Sequence, residues 1–227
     1  MKKGNKMLTG IKGILFDLDN TLIDRQAAAE GKLRNMVDTY LPELKNDPME
    51  REHAVQQLIN WDEYGSVSKK HVFGNFIKAH GLSEDLQEVM EEDWKVTFGD
   101  YTVPFKESAH VLETLGKKYK VGIVTNGPSI MQRKKLDICN FYDLLDTVIV
   151  SGEFGVHKPD PSIFLEGARQ LGLKPEEVAF VGDTFGTDII GAYRAGLKPV
   201  WIFSDERRTA QAEVVRIHKI EDLLEIL

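Results

Sequence analysis

Cysteine is nearly missing from this chain: Cys139 stands alone among 227 residues. A lone cysteine excludes an intrachain disulfide and suits a reducing compartment. Its expected part is that of a small buried apolar residue with no catalytic role. Long apolar runs are missing too, since no stretch approaches the roughly 18 consecutive apolar residues of a membrane-spanning helix. The basic opening Met1-Lys-Lys-Gly-Asn-Lys-Met7 has no apolar segment of the signal-peptide kind, so a short disordered tail and a cytoplasmic location are the expectations. Positive charge is in deficit, with 29 Lys and Arg against 36 Asp and Glu and a net charge of -7. That balance argues against nucleic acid or an anionic membrane as the partner, because both select basic patches. The six histidines show no metal-ligand spacing, and repeats, low-complexity segments, Gly-Lys-Ser/Thr loops and Gly-x-Gly-x-x-Gly fingerprints are absent.

What is present is 42% hydrophobic content, enough for one sizeable core or for a core with a small accessory domain. Ile11 to Phe16 is a short apolar run of strand-formers, suited to a strand buried on both faces of a parallel sheet. From about Asp24 to Tyr101 the pattern turns helical. A first helix runs from Ala27 toward Tyr40, a second spans Met49 to Trp61, and a third follows an N-cap at Ser68 and ends at Gly81. A fourth starts at Ser83-Glu-Asp, with acids where the helix dipole favours them. From Val103 onward, helices alternate with strands near 120–125, 147–151, 177–181 and 199–203. This rhythm predicts an α/β fold, a doubly wound parallel (Rossmann-like) sheet core with an inserted four-helix domain. The domain is discontinuous: residues 1–23 and 104–227 form the core, and 24–103 the insert.

Four stretches just past predicted strands carry chemistry. The first run stops abruptly in Asp17-Leu-Asp19-Asn-Thr21. An ionised carboxylate there loses hydration, and side chains two apart on extended backbone point the same way. Two like charges so close need a cation or a proton, and Mg2+ with oxygen ligands fits best. The alternative is a strand ending in an Asx turn. In Val121-Gly-Ile-Val-Thr125-Asn126-Gly127, Thr125 and the N–H groups of Asn126 and Gly127 can bind phosphate at a helix start, or Thr-Asn-Gly-Pro is a loop and helix cap. Lys158 sits between Gly155 and Pro159, either a fixed ammonium beside an anionic site or a solvated surface residue, and His157 reads as a loop residue. In Val178-Ala-Phe-Val-Gly182-Asp183, an apolar strand runs into an acid, with Asp188 five positions on. Asp188 has two readings of equal weight, a metal ligand or the cap of a helix that begins at Ile189.

Phe-Asp17-Leu-Asp19-Asn-Thr21-Leu resembles the first motif of the haloacid dehalogenase-like (HAD) hydrolase superfamily, and the other three stretches match its later motifs in order, over residues 11 to about 204. Within it, the chain is most similar to small α-helical-cap phosphatases, including the pyrimidine 5'-nucleotidases. The resemblance implies a Mg2+-dependent phosphatase acting on a small phosphorylated metabolite, a nucleotide or sugar phosphate, through an aspartyl-phosphate. It makes Asp17 the nucleophile, Asp19 the general acid and base, Thr125, Asn126 and Lys158 the phosphate-binding set, and residues 24–103 a cap. It assigns the metal to Asp17, the backbone carbonyl of Asp19 and Asp183, with Asp188 open. Asp19 speaks against a haloalkanoate dehalogenase, whose relatives lack this second acid. A phosphomutase of the same fold stays open, as does a phospho-accepting receiver, although a receiver has no reason to carry an 80-residue insert. Candidate hinges are 22–25 and 102–104, and candidate substrate-facing cap residues are Arg25, Trp61, Tyr64 and Phe73.

Overall fold

The computed structural model describes residues 7–202 and 214–227. The expected tail before Met7, and Phe203 at the end of the last expected strand, lie outside the described residues. The chain divides into two compact units, Met1–Asp24 with Pro104–Leu227, and Arg25–Val103.

The first unit begins with β1 (Gly13–Phe16), every residue of it buried. The strand is shorter than the apolar run because Lys12 already faces solvent. The second unit holds α1 (Arg25–Tyr40), α2 (Pro48–Asp62), α3 (Lys69–His80) and α4 (Leu86–Thr97). Local chemistry sets their ends. The Asp47 carboxylate accepts from the Glu50 N–H with Pro48 in the first turn, and the Ser68 hydroxyl accepts from the His71 N–H. Gly81 closes α3 in the left-handed region, φ 63°. The helix expected at Ser83 starts later, at Leu86, because Ser83 and Glu84 bend into a turn whose carbonyls accept from Leu86 and Gln87. Leu33, Met36, Leu58, Phe73, Phe76, Met90 and Trp94 are buried, each contributing about 1.5–3 kcal/mol in apolar transfer. Phe73 and Trp94 stand 5.9 Å apart, and Trp94 stacks on Phe98 at 4.4 Å. Phe73 is therefore part of the bundle's packing, while Tyr64 is exposed and Arg25 pairs with Asp62 at 3.2 Å.

The rest of the first unit follows as α5 (Ser108–Gly116), β2 (Lys120–Thr125), α6 (Ser129–Cys139), β3 (Thr147–Val150), α7 (Ser151–Phe154), α8 (Pro161–Gln170) and β4 (Val178–Gly182). A π-helical turn over Phe185–Ile189 leads into α9 (Ile190–Arg194), then β5 (Lys198–Ile202), β6 (Val215–Ile217) and α10 (Leu223–Ile226). Among the described residues the six strands pair in parallel in the order β3-β2-β1-β4-β5-β6. Alternation along β1 divides its side chains between two layers. Ile14 and Phe16 pack with Val111 and Leu115 of α5, whereas Leu15 packs with Ile163 and Phe164 of α8. The strand order reverses between β1 and β4, and ligands of open α/β sheets bind beyond the carboxyl ends of the strands at such a point. Across the ends of the insert, Ile23 bridges to Pro104, and the Leu22 carbonyl accepts from the Phe105 N–H at 3.1 Å and the Ser108 hydroxyl at 2.7 Å.

Candidate active site

The carboxyl ends of β1 and β4 each run into an acid. The Asp17 N–H donates to the Val181 carbonyl at 2.9 Å, which continues the ladder one residue past β1 and fixes Asp17 at the sheet edge. Carboxylate oxygens of Asp17, Asp183 and Asp188 lie within 4.8 Å of one another. Asp188 reaches this place from inside the π-helical turn. The helical segment already starts at Phe185, so Asp188 does not cap a helix at Ile189; its Oδ2 reaches back to accept the Thr184 N–H at 2.9 Å. Gly182 makes the approach possible: a Cβ there would sit 2.5 Å from the Asp188 carboxyl carbon. The Trp201 indole N–H donates to the Asp183 carbonyl at 2.8 Å and pins the loop after β4.

Lys158 enters this acidic group as its cation. Its Nζ lies 2.6 Å from Asp17 Oδ1 and 2.8 Å from Asp188 Oδ1, and the residue is 4% exposed. The backbone of Lys158 is held by Asn126, whose Nδ2 donates to the Lys158 carbonyl at 3.0 Å and whose Oδ1 accepts its N–H at 2.9 Å. The Asn126 side chain is thereby spent on placing Lys158, and the Gly127 N–H donates to Ser151 Oγ at 3.0 Å. His157 is exposed in the loop.

Electrostatics in the group point one way. Two carboxylates about 4 Å apart repel by about 4 kcal/mol at an effective dielectric of about 20, and of the three acids Asp17 and Asp188 share the ammonium of Lys158. Burial, ahead of the charges of Asp188 and Asp183, pushes the Asp17 carboxyl above its ordinary range against the pull of Lys158. Burial and then the Asp188 charge push Asp183 up to about 6. Burial opposes the Lys158 charge, but Asp17 and Asp188 outweigh it and hold the ammonium above its usual value. A divalent cation with oxygen ligands is what such a group fits.

Asp19 is elsewhere. Since β1 ends at Phe16, the two-residue alternation does not carry past it. Instead the Leu18 carbonyl accepts the Leu22 and Ile23 N–H groups in a single tight turn, with Asn20 at φ 56°. The Asp19 carboxylate is not part of the three-acid group; Lys135 Nζ holds it at 2.7 and 2.8 Å, and Gln132 Nε2 at 3.0 Å. Gln132 Nε2 also donates to Thr125 Oγ1 at 2.7 Å, and Thr125 is 1% exposed at the end of β2. Neither Gln132 nor Lys135 was singled out in the sequence, although their spacing of three puts them on one helix face. Cys139 is half-buried against the core below this face, its thiol pushed up to about 11, chiefly by burial.

Known proteins are similar to this chain over most of its length. The family model of haloacid dehalogenase-like hydrolases matches residues 11–196. A glyceraldehyde 3-phosphate phosphatase of Methanopyrus kandleri is 35% identical over 85% of this chain and 84% of its own. The N-acylneuraminate-9-phosphatase of Homo sapiens is 30% identical over 96% and 93%. The crystal structure of a HAD phosphatase from Thermococcus onnurineus superposes with a TM-score of 0.67 at 28% identity, covering 95% of this chain and 97% of that one.

Proposed function

This chain belongs to the haloacid dehalogenase-like hydrolases, and from that premise we propose that it is a Mg2+-dependent phosphatase of small phosphate monoesters. The observation that carries the proposal is the group of Asp17, Asp183, Asp188 and Lys158 at the carboxyl edge of β1 and β4. Asp17, Asp183 and the Asp19 carbonyl, with Asp188 beside them, would hold the cation. When bound, the metal offsets the repulsion between the carboxylates and an incoming phosphate.

Asp17 attacks phosphorus in line; the ester P–O bond breaks, and its electron pair stays on the leaving oxygen, which takes a proton from Asp19. Water then attacks the aspartyl-phosphate, giving its proton to Asp19, and the bond to Asp17 breaks to release phosphate. Lys158 balances charge on the phosphoryl group as it does on Asp17. Thr125 already accepts from Gln132 through Oγ1, so its own O–H is left to donate to a phosphoryl oxygen, and the Asn126 N–H adds a second donor. The same reading makes residues 24–103 a cap domain that selects the leaving group. Both relatives are named for phosphates of a sugar or sugar acid, which favours that class over nucleotides.

The test is turnover of a generic aryl phosphate with Mg2+, followed by a panel of sugar, sugar-acid and nucleotide phosphates. Multiple turnovers are expected, abolished together with covalent phosphate in Asp17→Asn. Protein inert toward every phosphoester, or an Asp17→Asn variant with near-normal turnover, would overturn the assignment.

A further inference from the structure

Helix α6 carries three consecutive basic residues, Arg133, Lys134 and Lys135, and the chain buries only the last of them, at 2% exposure. A lysine buried so far is almost never found unpaired. Lys135 meets both oxygens of Asp19, a two-point contact that fixes the carboxylate's rotation and its position together. One turn earlier on the same face stands Gln132, 1% exposed, whose single amide nitrogen spans Asp19 Oδ2 and Thr125 Oγ1. Gly127 leaves room for it: its φ is 145°, and a Cβ there would crowd Gln132 at 3.1 Å.

An ordinary structural salt bridge would tie α6 to the loop after β1 and stop there. This one ends on the residue proposed as acid and base, and the amide beside it ends on the hydroxyl proposed to bind phosphate. We propose that Lys135 and Gln132 are positioning residues for the phosphatase reaction: together they hold the Asp19 carboxylate where proton transfer needs it and turn the Thr125 hydroxyl toward the phosphoryl group. This deepens the proposed function and rests on it. Neither residue touches the substrate. They act through the two that do, as outer partners act on metal ligands.

The experiment compares steady-state turnover of an aryl phosphate with Mg2+ for wild type, Lys135→Met, Lys135→Arg and Gln132→Leu, each also made on an Asp19→Asn background. Acid-quenched protein is assayed for covalent phosphate. Lys135→Met is expected to lower kcat by ~10- to 100-fold, the range for outer-shell partners, with phosphoenzyme accumulating and KM falling with kcat. Lys135→Arg recovers part of the loss, and Gln132→Leu gives a smaller drop in kcat. On the Asp19→Asn background Lys135→Met slows the enzyme no further, because the group it positions is gone, whereas Gln132→Leu keeps the part of its loss that runs through Thr125. A Lys135→Met loss that multiplies on that background, or a Lys135→Met enzyme as fast as wild type or faster, overturns the inference while leaving the phosphatase reading intact. An inert wild type sinks both. If Lys135→Met does not fold, Lys135→Arg and Gln132→Leu decide, since turnover of both indistinguishable from wild type is equally fatal.

Discussion

Lys158 is one ammonium shared between two buried acids, and that sharing has a measurable cost when it is removed. Lys158→Met leaves Asp17 and Asp188 facing each other without a counter-charge. Loss of one partner of a buried pair costs about 3–5 kcal/mol, to be read from urea unfolding without divalent metal. Turnover should fall by at least about 100-fold, as when one oxyanion donor is lost. A second prediction concerns Asp183, which titrates near 6 in the folded state against 3.8 ordinarily. Between those values the folded protein keeps a proton that the unfolded chain has released, so this group's contribution to stability falls as pH rises through the window. In metal-free protein the Tm of Asp183→Asn should therefore pull ahead of wild type by a few degrees between about pH 4 and about pH 6 and stay ahead above it. Added Mg2+ should close the gap by stabilising wild type. The acids and Lys158 were legible in the sequence because each breaks a local rule, a charge ending an apolar run or a lysine locked before proline. Gln132 and Lys135 were not, because Arg133-Lys134-Lys135 spells a solvated helix surface, and only the tertiary contact says which lysine turns inward.

At the level of elements, the strands that build the centre of the sheet were readable as apolar runs, and those that border it were less so. β1, β2 and β4 are nearly or wholly buried, so nothing polar interrupts them. β6 is three residues with a central Arg216 and its first two positions only half-buried, too short and too mixed to give a period. The helix expected to begin at Ile189 is instead a π-helical turn, already open at Phe185, running into a short α-helix. The extra residue in that turn is what carries Asp188 over Gly182 while its Oδ2 holds the Thr184 N–H. Gly182→Ala tests this link. A methyl 2.5 Å from the Asp188 carboxyl forces the turn away, at about 1–3 kcal/mol as for other overpacked sites. Calorimetric titration should show Mg2+ binding weakened by about 10-fold, the size of a disturbed outer shell. Unchanged metal affinity would mean that the turn does not set the ligand geometry.

Across the whole molecule, the alternation of strands and helices was enough to foresee a parallel α/β layer, because parallel strands need long crossovers. The identities of neighbouring strands were not: that β1 lies between β2 and β4 follows from packing on both faces, which a linear pattern does not encode. No helix among the described residues is long and apolar enough to cross a membrane. Each compact unit has its own buried apolar side chains, so each has the means to fold. Replacing residues 25–103 by a short Gly-Ser linker should give a protein with native-like far-UV circular dichroism and a Mg2+-dependent rise in Tm, yet with discrimination among phosphoesters lost. Failure of that protein to fold would show that the α/β layer depends on the helices. The bridge from Ile23 to Pro104, with the Leu22 carbonyl gripping Phe105 and Ser108, makes the point of departure and the point of return one fastened seam. A seam closed by contacts within the α/β unit alone lets the length and sequence of what lies between residues 24 and 104 vary while the strand ends stay tied.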